Sequence, residues 1–241
     1  MLGFLQQSFG NYRKKAKLFL KLSVFYLASE LLASLAVWGF FFTAFLIGSL
    51  FGLTLESPIM IAIAAGAIIL TLYIGSGLFG SYLKNINNIL QGQKIDFTSF
   101  FRYGITKAGT YFTILVIKLL IEMILAAPLV ALYLFALKKL NIPYIEIVLA
   151  AIFIGIKFFV DFIFIYSFIS RSLFETSAFA SIRNAFRIIR YKGIAAFGLY
   201  IIFSLTAITL LIPLLNIFTF FITLPVTLGS LILVSNSGMR K

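Results

Sequence analysis

Cysteine and histidine are both absent from the 241 residues. Their absence removes disulfides, thiol chemistry, c-type haem attachment, zinc-finger spacings and imidazole acid–base catalysis. Charge is also scarce, at 11% of the chain, against about 25% in a soluble domain. Acid is the scarcer sign: seven Asp and Glu stand against twenty Lys and Arg, a net charge of +13. Apolar residues fill the space, at 62% of the chain and a mean hydropathy of +1.10. A soluble fold of this length must cover its surface with polar groups, and this chain has too few. A basic excess can mark a nucleic-acid partner. In so apolar a chain it reads instead as the positive-inside bias of a membrane protein, with membrane lipids as partner and no nucleic acid.

A helix crosses about 30 Å of hydrocarbon with roughly 20 apolar residues. Between Glu30 and Glu56 lie 25 uncharged residues, between Glu56 and Lys84 another 27, and between Lys192 and Arg240 a run of 47. The last is long enough for two crossings, with Pro213 and Asn216 marking a hairpin in its middle. Two further stretches carry internal charges. The expectation is an all-α polytopic membrane protein, a single transmembrane domain over 1–241. Its six spans fall at about 30–53, 58–80, 111–136, 144–170, 194–213 and 216–236. A five-span alternative makes 193–239 one crossing plus a re-entrant segment, and charge argues against it. Six spans put sixteen of the twenty cations on the side of both termini and the 84–107 and 171–192 loops, leaving Lys138 and Lys139 opposite. By the positive-inside rule the crowded side is cytoplasmic, in the cell membrane. No cleavable signal peptide is expected, and Leu2 replaces the glycine that N-myristoylation needs.

Each outward crossing follows a basic amphipathic segment, at about 2–21, 96–107 and 175–192. In the third, Phe179, Ile182, Phe186 and Ile189 form an apolar stripe beside a cationic one of Arg183, Arg187 and Arg190. Such helices lie in the interface with their cations on lipid headgroups. The expected contacts are Arg13, Arg102, Lys107, Arg183, Arg187, Arg190 and Lys192, with anionic lipid as partner. An aromatic–Arg pair recurs as Tyr12-Arg13, Phe101-Arg102 and Phe186-Arg187. Either three hairpins share one repeated plan, or loops before spans simply gather Arg and aromatics.

The 177–202 segment, SAFASIRNAFRIIRYKGIAAFGLYII, resembles an element of a poorly characterised family of prokaryotic six-span membrane proteins. That family includes the membrane domain found with glycerophosphodiester phosphodiesterases. The 80–117 stretch, GSYLKNINNILQGQKIDFTSFFRYGITKAGTYFTILVI, is similar to the same family's inter-span loop. The resemblance implies an α-helical membrane domain. The phosphodiesterase domain itself is missing here, so no hydrolase activity carries over.

Charges also sit inside the spans. IKLLIEMIL at 117–125 and IKFFVDFIF at 156–164 place Lys118 four residues before Glu122 and Lys157 four before Asp161. At about 1.5 Å per residue on antiparallel helices, the two acids come to similar depth with a lysine on either side, and Glu30 is a candidate to join them. A charge at the bilayer centre costs at least about 2.5–3.5 kcal/mol, so these groups should face one another or a wet cavity. They make either a polar path or a self-neutralising lock. Small-residue runs at 62–67 and 75–81 read as helix packing or as an oligomer interface, and Pro128 and Pro225 as kinks. No cofactor site and no nucleophile or metal-ligand motif is found, which leaves little material for an enzyme. Three classes follow: a lipid-interacting scaffold or accessory subunit, a small transporter or channel, and a membrane-bound lipid-modifying enzyme.

Overall fold

The computed structural model describes residues 1–134 and 144–239. Lys138, Lys139, Arg240, Lys241 and the end of the expected 111–136 span lie outside those residues. The described chain is helical throughout: α1 Leu2–Leu50, α2 Pro58–Leu90, α3 Phe97–Leu132, α4 Ile145–Phe174, α5 Ala178–Thr209, α6 Pro213–Phe218 and α7 Leu224–Met239. One π-helical turn, Thr219–Thr223, joins α6 to α7. Among the described residues six helices are long and apolar enough to cross a membrane, the last running Leu215–Met239. The chain is a multi-pass membrane protein.

Local chemistry sets the helix starts. Ser57 accepts a hydrogen bond from the Met60 amide with Pro58 in the first turn. Asp96 caps α3 through the Ser99 amide at 3.0 Å, and Ser177 caps α5 through that of Ala180. The chain turns at 210–212, and Pro213 opens α6 where the hairpin was expected.

Two of the three basic segments are set off from the span that follows by a break in the backbone, and the third runs into its span without one. The backbone bends at Lys15 (φ −123°, ψ 24°) and at Lys192 (φ −128°, ψ 20°), whereas α3 passes residue 107 without a break. The third break falls at the expected end of the 175–192 segment, the first comes at Lys15 instead of near 21, and the expected boundary near 107 is absent. Packing explains the difference in α3. A Cβ built on Gly77 of α2 would fall 2.2 Å from the Gly104 carbonyl oxygen, and one on Gly80 would fall 2.3 Å from the Tyr111 ring. Only glycine at these two positions lets α2 and α3 cross so closely, and that crossing holds α3 straight. The 75–81 run thus serves internal packing, while Gly66 in the 62–67 run has open space around it.

Helices α2, α4 and α7 pack on one another at the centre. Around them α1 bridges α7 and α2, α3 bridges α2 and α4, and α5 bridges α4 and α7. Three consecutive hairpins, each with its second helix inside, produce this pattern. The two bends do not follow the aromatic–Arg register, because Lys15 lies two positions after Arg13 and Lys192 five after Arg187.

The main hydrophobic cluster lies at one end. Buried side chains cluster at 8–29, 76–89, 100–114, 160–172, 178–200 and 224–238, on the side that gathers the described basic segments. At the far end the helices splay and present large apolar groups, with Leu50 84% and Leu211 82% exposed. Bilayer covers such surfaces without any protein partner. Pro128 sits in this splayed part of an unbroken α3, whereas Pro225 follows the π turn. Pro225 lacks the N–H that would bond the Phe221 carbonyl four residues back, and the Tyr12 hydroxyl donates to that carbonyl at 3.1 Å.

Candidate functional site

Lys118 and Glu122 of α3 meet Lys157 and Asp161 of α4. Asp161 receives both lysines, its Oδ1 2.6 Å from Lys118 Nζ and its Oδ2 2.7 Å from Lys157 Nζ. Glu122 Oε1 stands farther off, 3.3 Å from Lys118 Nζ and 3.7 Å from Lys157 Nζ, and it is buried without a well-formed hydrogen bond. The i, i+4 spacing puts each pair on one helix face, and the α3–α4 packing turns those faces together. Four charges sum to zero in one ring. The side chains of Lys118 and Glu122 are 17% and 15% exposed, and that of Lys157 is 48% exposed.

Glu30 does not join the ring. Among the described residues it forms no ion pair, and a Cβ on Gly75 would lie 3.6 Å from both its carboxylate oxygens. It therefore belongs to the α1–α2 contact, with α2 between it and the α3–α4 charges.

A cleft of about 440 Å³ between α3, α4 and α5 touches Lys118 and Asp161, with Tyr200 and Ser204 as its other polar side chains and phenylalanine on most of its walls. It does not reach Glu122 or Lys157. Two further clefts of about 320 and 470 Å³ open inside the α3–α4 and α1–α2 hairpins at the splayed end, and their walls are almost wholly apolar. Among the described residues no three acidic side chains converge as metal ligands.

At the basic end, Arg13, Arg102, Arg183, Arg187 and Arg190 are exposed, while Lys107 and Lys192 are half-buried. None of the seven pairs with a carboxylate among the described residues. The two acids of this end are engaged elsewhere. Asp96 caps α3, and Glu175 pairs with Lys84, whose Nζ also lies 4.1 Å from the centre of the Tyr103 ring. The Lys84 hydrogen bond, with the charges of Lys84, Lys107 and Arg171, holds the Glu175 carboxyl below its usual range despite partial desolvation. Phe186, Arg187, Arg190 and Tyr191 line a shallow groove of about 340 Å³ on α5.

Two basic residues that the sequence offers only as topology signals have specific places. Lys15 donates to the Ile89 carbonyl at 2.6 Å and to that of Leu90 at 3.4 Å, capping the end of α2 with a cation. Arg171 is 5% exposed and lies 5.9 Å from the Tyr111 ring, with no hydrogen-bond partner for its Nε. The sequence reading places it in the 171–192 loop; the structure puts it in the last turn of α4, facing Tyr111 of α3. Comparison with protein-family models, curated proteins and solved structures returns no match.

Proposed function

We propose that this protein is a non-enzymatic membrane component, a scaffold or accessory subunit that binds anionic lipid through a basic cytoplasmic face. The observation that carries this reading is the set of exposed arginines at the basic end with no protein counter-charge. Both nearby acids are engaged by other groups of the chain, so lipid phosphates are the available anions. Each Lys or Arg near an anionic surface contributes about 1 kcal/mol. Phe186 and Tyr191 beside Arg187 and Arg190 have the amphipathic composition of an interfacial anchor. Under the positive-inside rule this face is cytoplasmic and both termini lie there. As an accessory subunit it would pair with a second copy or with another membrane subunit. The resemblance to membrane domains associated with glycerophosphodiester phosphodiesterases fits a place near lipid headgroups and brings no hydrolytic residues.

The test is lipid selection in nanodiscs made from a mixture of phosphatidylglycerol and phosphatidylcholine. The wild-type chain should enrich phosphatidylglycerol around itself, and a variant with Arg183, Arg187 and Arg190 all changed to Gln should lose most of that enrichment. Equal composition around both proteins would sink the reading.

The 440 Å³ cleft reaching Lys118 and Asp161 favours a second reading, a small transporter or channel. Its polar surface is confined to four side chains, and the ion pairs close on one another, so the lipid-binding reading stands first. Changing Lys157 to Met together with Asp161 to Leu decides it: a flux that survived this double change would not run through the ring.

A further inference from the structure

Arg171 presents an unresolved charge. A guanidinium removed from water demands a counter-charge and hydrogen-bond acceptors. Among the described residues no carboxylate lies within ion-pair distance of it, and its Nε has no acceptor. The Tyr111 face at 5.9 Å supplies only a weak cation–π contact. One turn later on the same strand of chain stands Glu175, whose side chain is 47% exposed and already paired with Lys84. Lys107 of α3 completes the neighbourhood, since its charge and that of Arg171 both act on Glu175. Glu175 therefore touches Lys84 and sits in the field of two further cations, so one carboxylate faces three positive charges.

We propose that Lys84, Lys107 and Arg171 form an anion site at the basic end, occupied by Glu175 as an internal placeholder, and that its ligand is a phosphate group, borne by a lipid or free. With Glu175 turned away three positive charges face the ligand; a carboxylate would balance one of them and a doubly charged phosphate two. The tetrahedral oxygens of a phosphate also suit the fork of an arginine near two ammonium groups. Glu175 is placed to give way. It ends α4 in the left-handed region at φ 51°, with its carboxylate at the surface, so rotation of its side chain opens the site without unwinding α4. Tyr103 and Tyr111, whose hydroxyls lie 3.3 Å apart, form the floor beneath Lys84 and Arg171. The lipid arm rests on the proposed lipid binding; the free-phosphate arm does not. The site is distinct from the exposed arginines of α5.

Ligand affinity of the full-length protein in detergent tests this, with inorganic phosphate and short-chain phosphatidate as probes and chloride and phosphatidylcholine as controls. Removing the placeholder with Glu175→Gln should tighten phosphate or phosphatidate binding by about tenfold, the value of one charge-assisted competitor. Lys107→Gln should weaken it by a similar factor, and neither surface change threatens folding as Arg171→Gln does. Stabilisation by inorganic phosphate assigns the site to the free anion, and stabilisation by phosphatidate alone assigns it to a headgroup. Glu175→Gln binding no tighter than wild type, or no response to either probe, overturns the site. If the triple change of Arg183, Arg187 and Arg190 to Gln abolishes binding instead, the anion sits on the exposed surface. The buried site then fails while the lipid reading stands.

Discussion

Replacing Asp161 with leucine should be the most damaging single change in the charge ring, and geometry sets the order. Asp161 takes the two short contacts, at 2.6 and 2.7 Å, whereas Glu122 takes the two long ones, at 3.3 and 3.7 Å. Asp161→Leu leaves two lysines to share one distant carboxylate. Breaking a buried pair by removing one partner costs about 3–5 kcal/mol. Lys157 is half exposed within a span, where the surroundings are lipid and not water, so stranding it is costly as well. Lys118, at 17% exposure, is stranded inside the bundle. That places Asp161→Leu at about 3–5 kcal/mol, or on the order of 6–20 °C in melting temperature for a chain of this size. Glu122→Leu should cost less, because Asp161 still holds both lysines. Removing Lys157 and Asp161 together should cost less than Asp161→Leu alone, since Lys118 and Glu122 then remain as a balanced pair. Thermal melting of the four proteins in one detergent reads the order directly. A Glu122→Leu loss larger than that of Asp161→Leu, or a double change worse than the single one, would refute the reasoning.

Gly80→Ala drives a methyl group into the Tyr111 ring and should destabilise by about 1–3 kcal/mol in the same melt, whereas Gly66→Ala, in open space, should leave it unchanged. Tyr12→Phe removes the donor to the Phe221 carbonyl and should cost about 1 kcal/mol. Pro225→Ala restores a backbone N–H there, so the two changes should be less than additive in a double-mutant cycle. Glu175 is held below its normal range by Lys84, so its pairing stabilises the fold above pH 4.5 and is lost as pH falls through its lowered value. Acid titration of the melting temperature should therefore be shallower in Glu175→Gln than in wild type.

Apolar run length made the six crossings legible, because hydrocarbon thickness fixes how many residues a span needs. The meeting of Lys118, Glu122, Lys157 and Asp161 was also legible, since i, i+4 spacing on two consecutive antiparallel spans leaves few other arrangements. Glu30 was misplaced because depth was the only coordinate available, and depth says nothing about which side of α2 a residue faces. The packing of the first basic segment into the fold was hidden for a related reason. The basic stripes look interfacial, yet Ser8 and Tyr12 donate hydrogen bonds to carbonyls some 200 residues away, at Val226 and Phe221, and those bonds hold the segment before the Lys15 bend against the last hairpin. No pattern within residues 2–21 encodes them. Arg171 stood out in neither composition nor spacing, since only the closure of α3 over α4 buries it.

Native mass spectrometry of the protein released from anionic-lipid nanodiscs tests the central claim most directly. The account predicts retained anionic lipid at a defined ratio, reduced when Arg183, Arg187 and Arg190 are changed to Gln. A lipid-free protein, or equal retention by the variant, would contradict it.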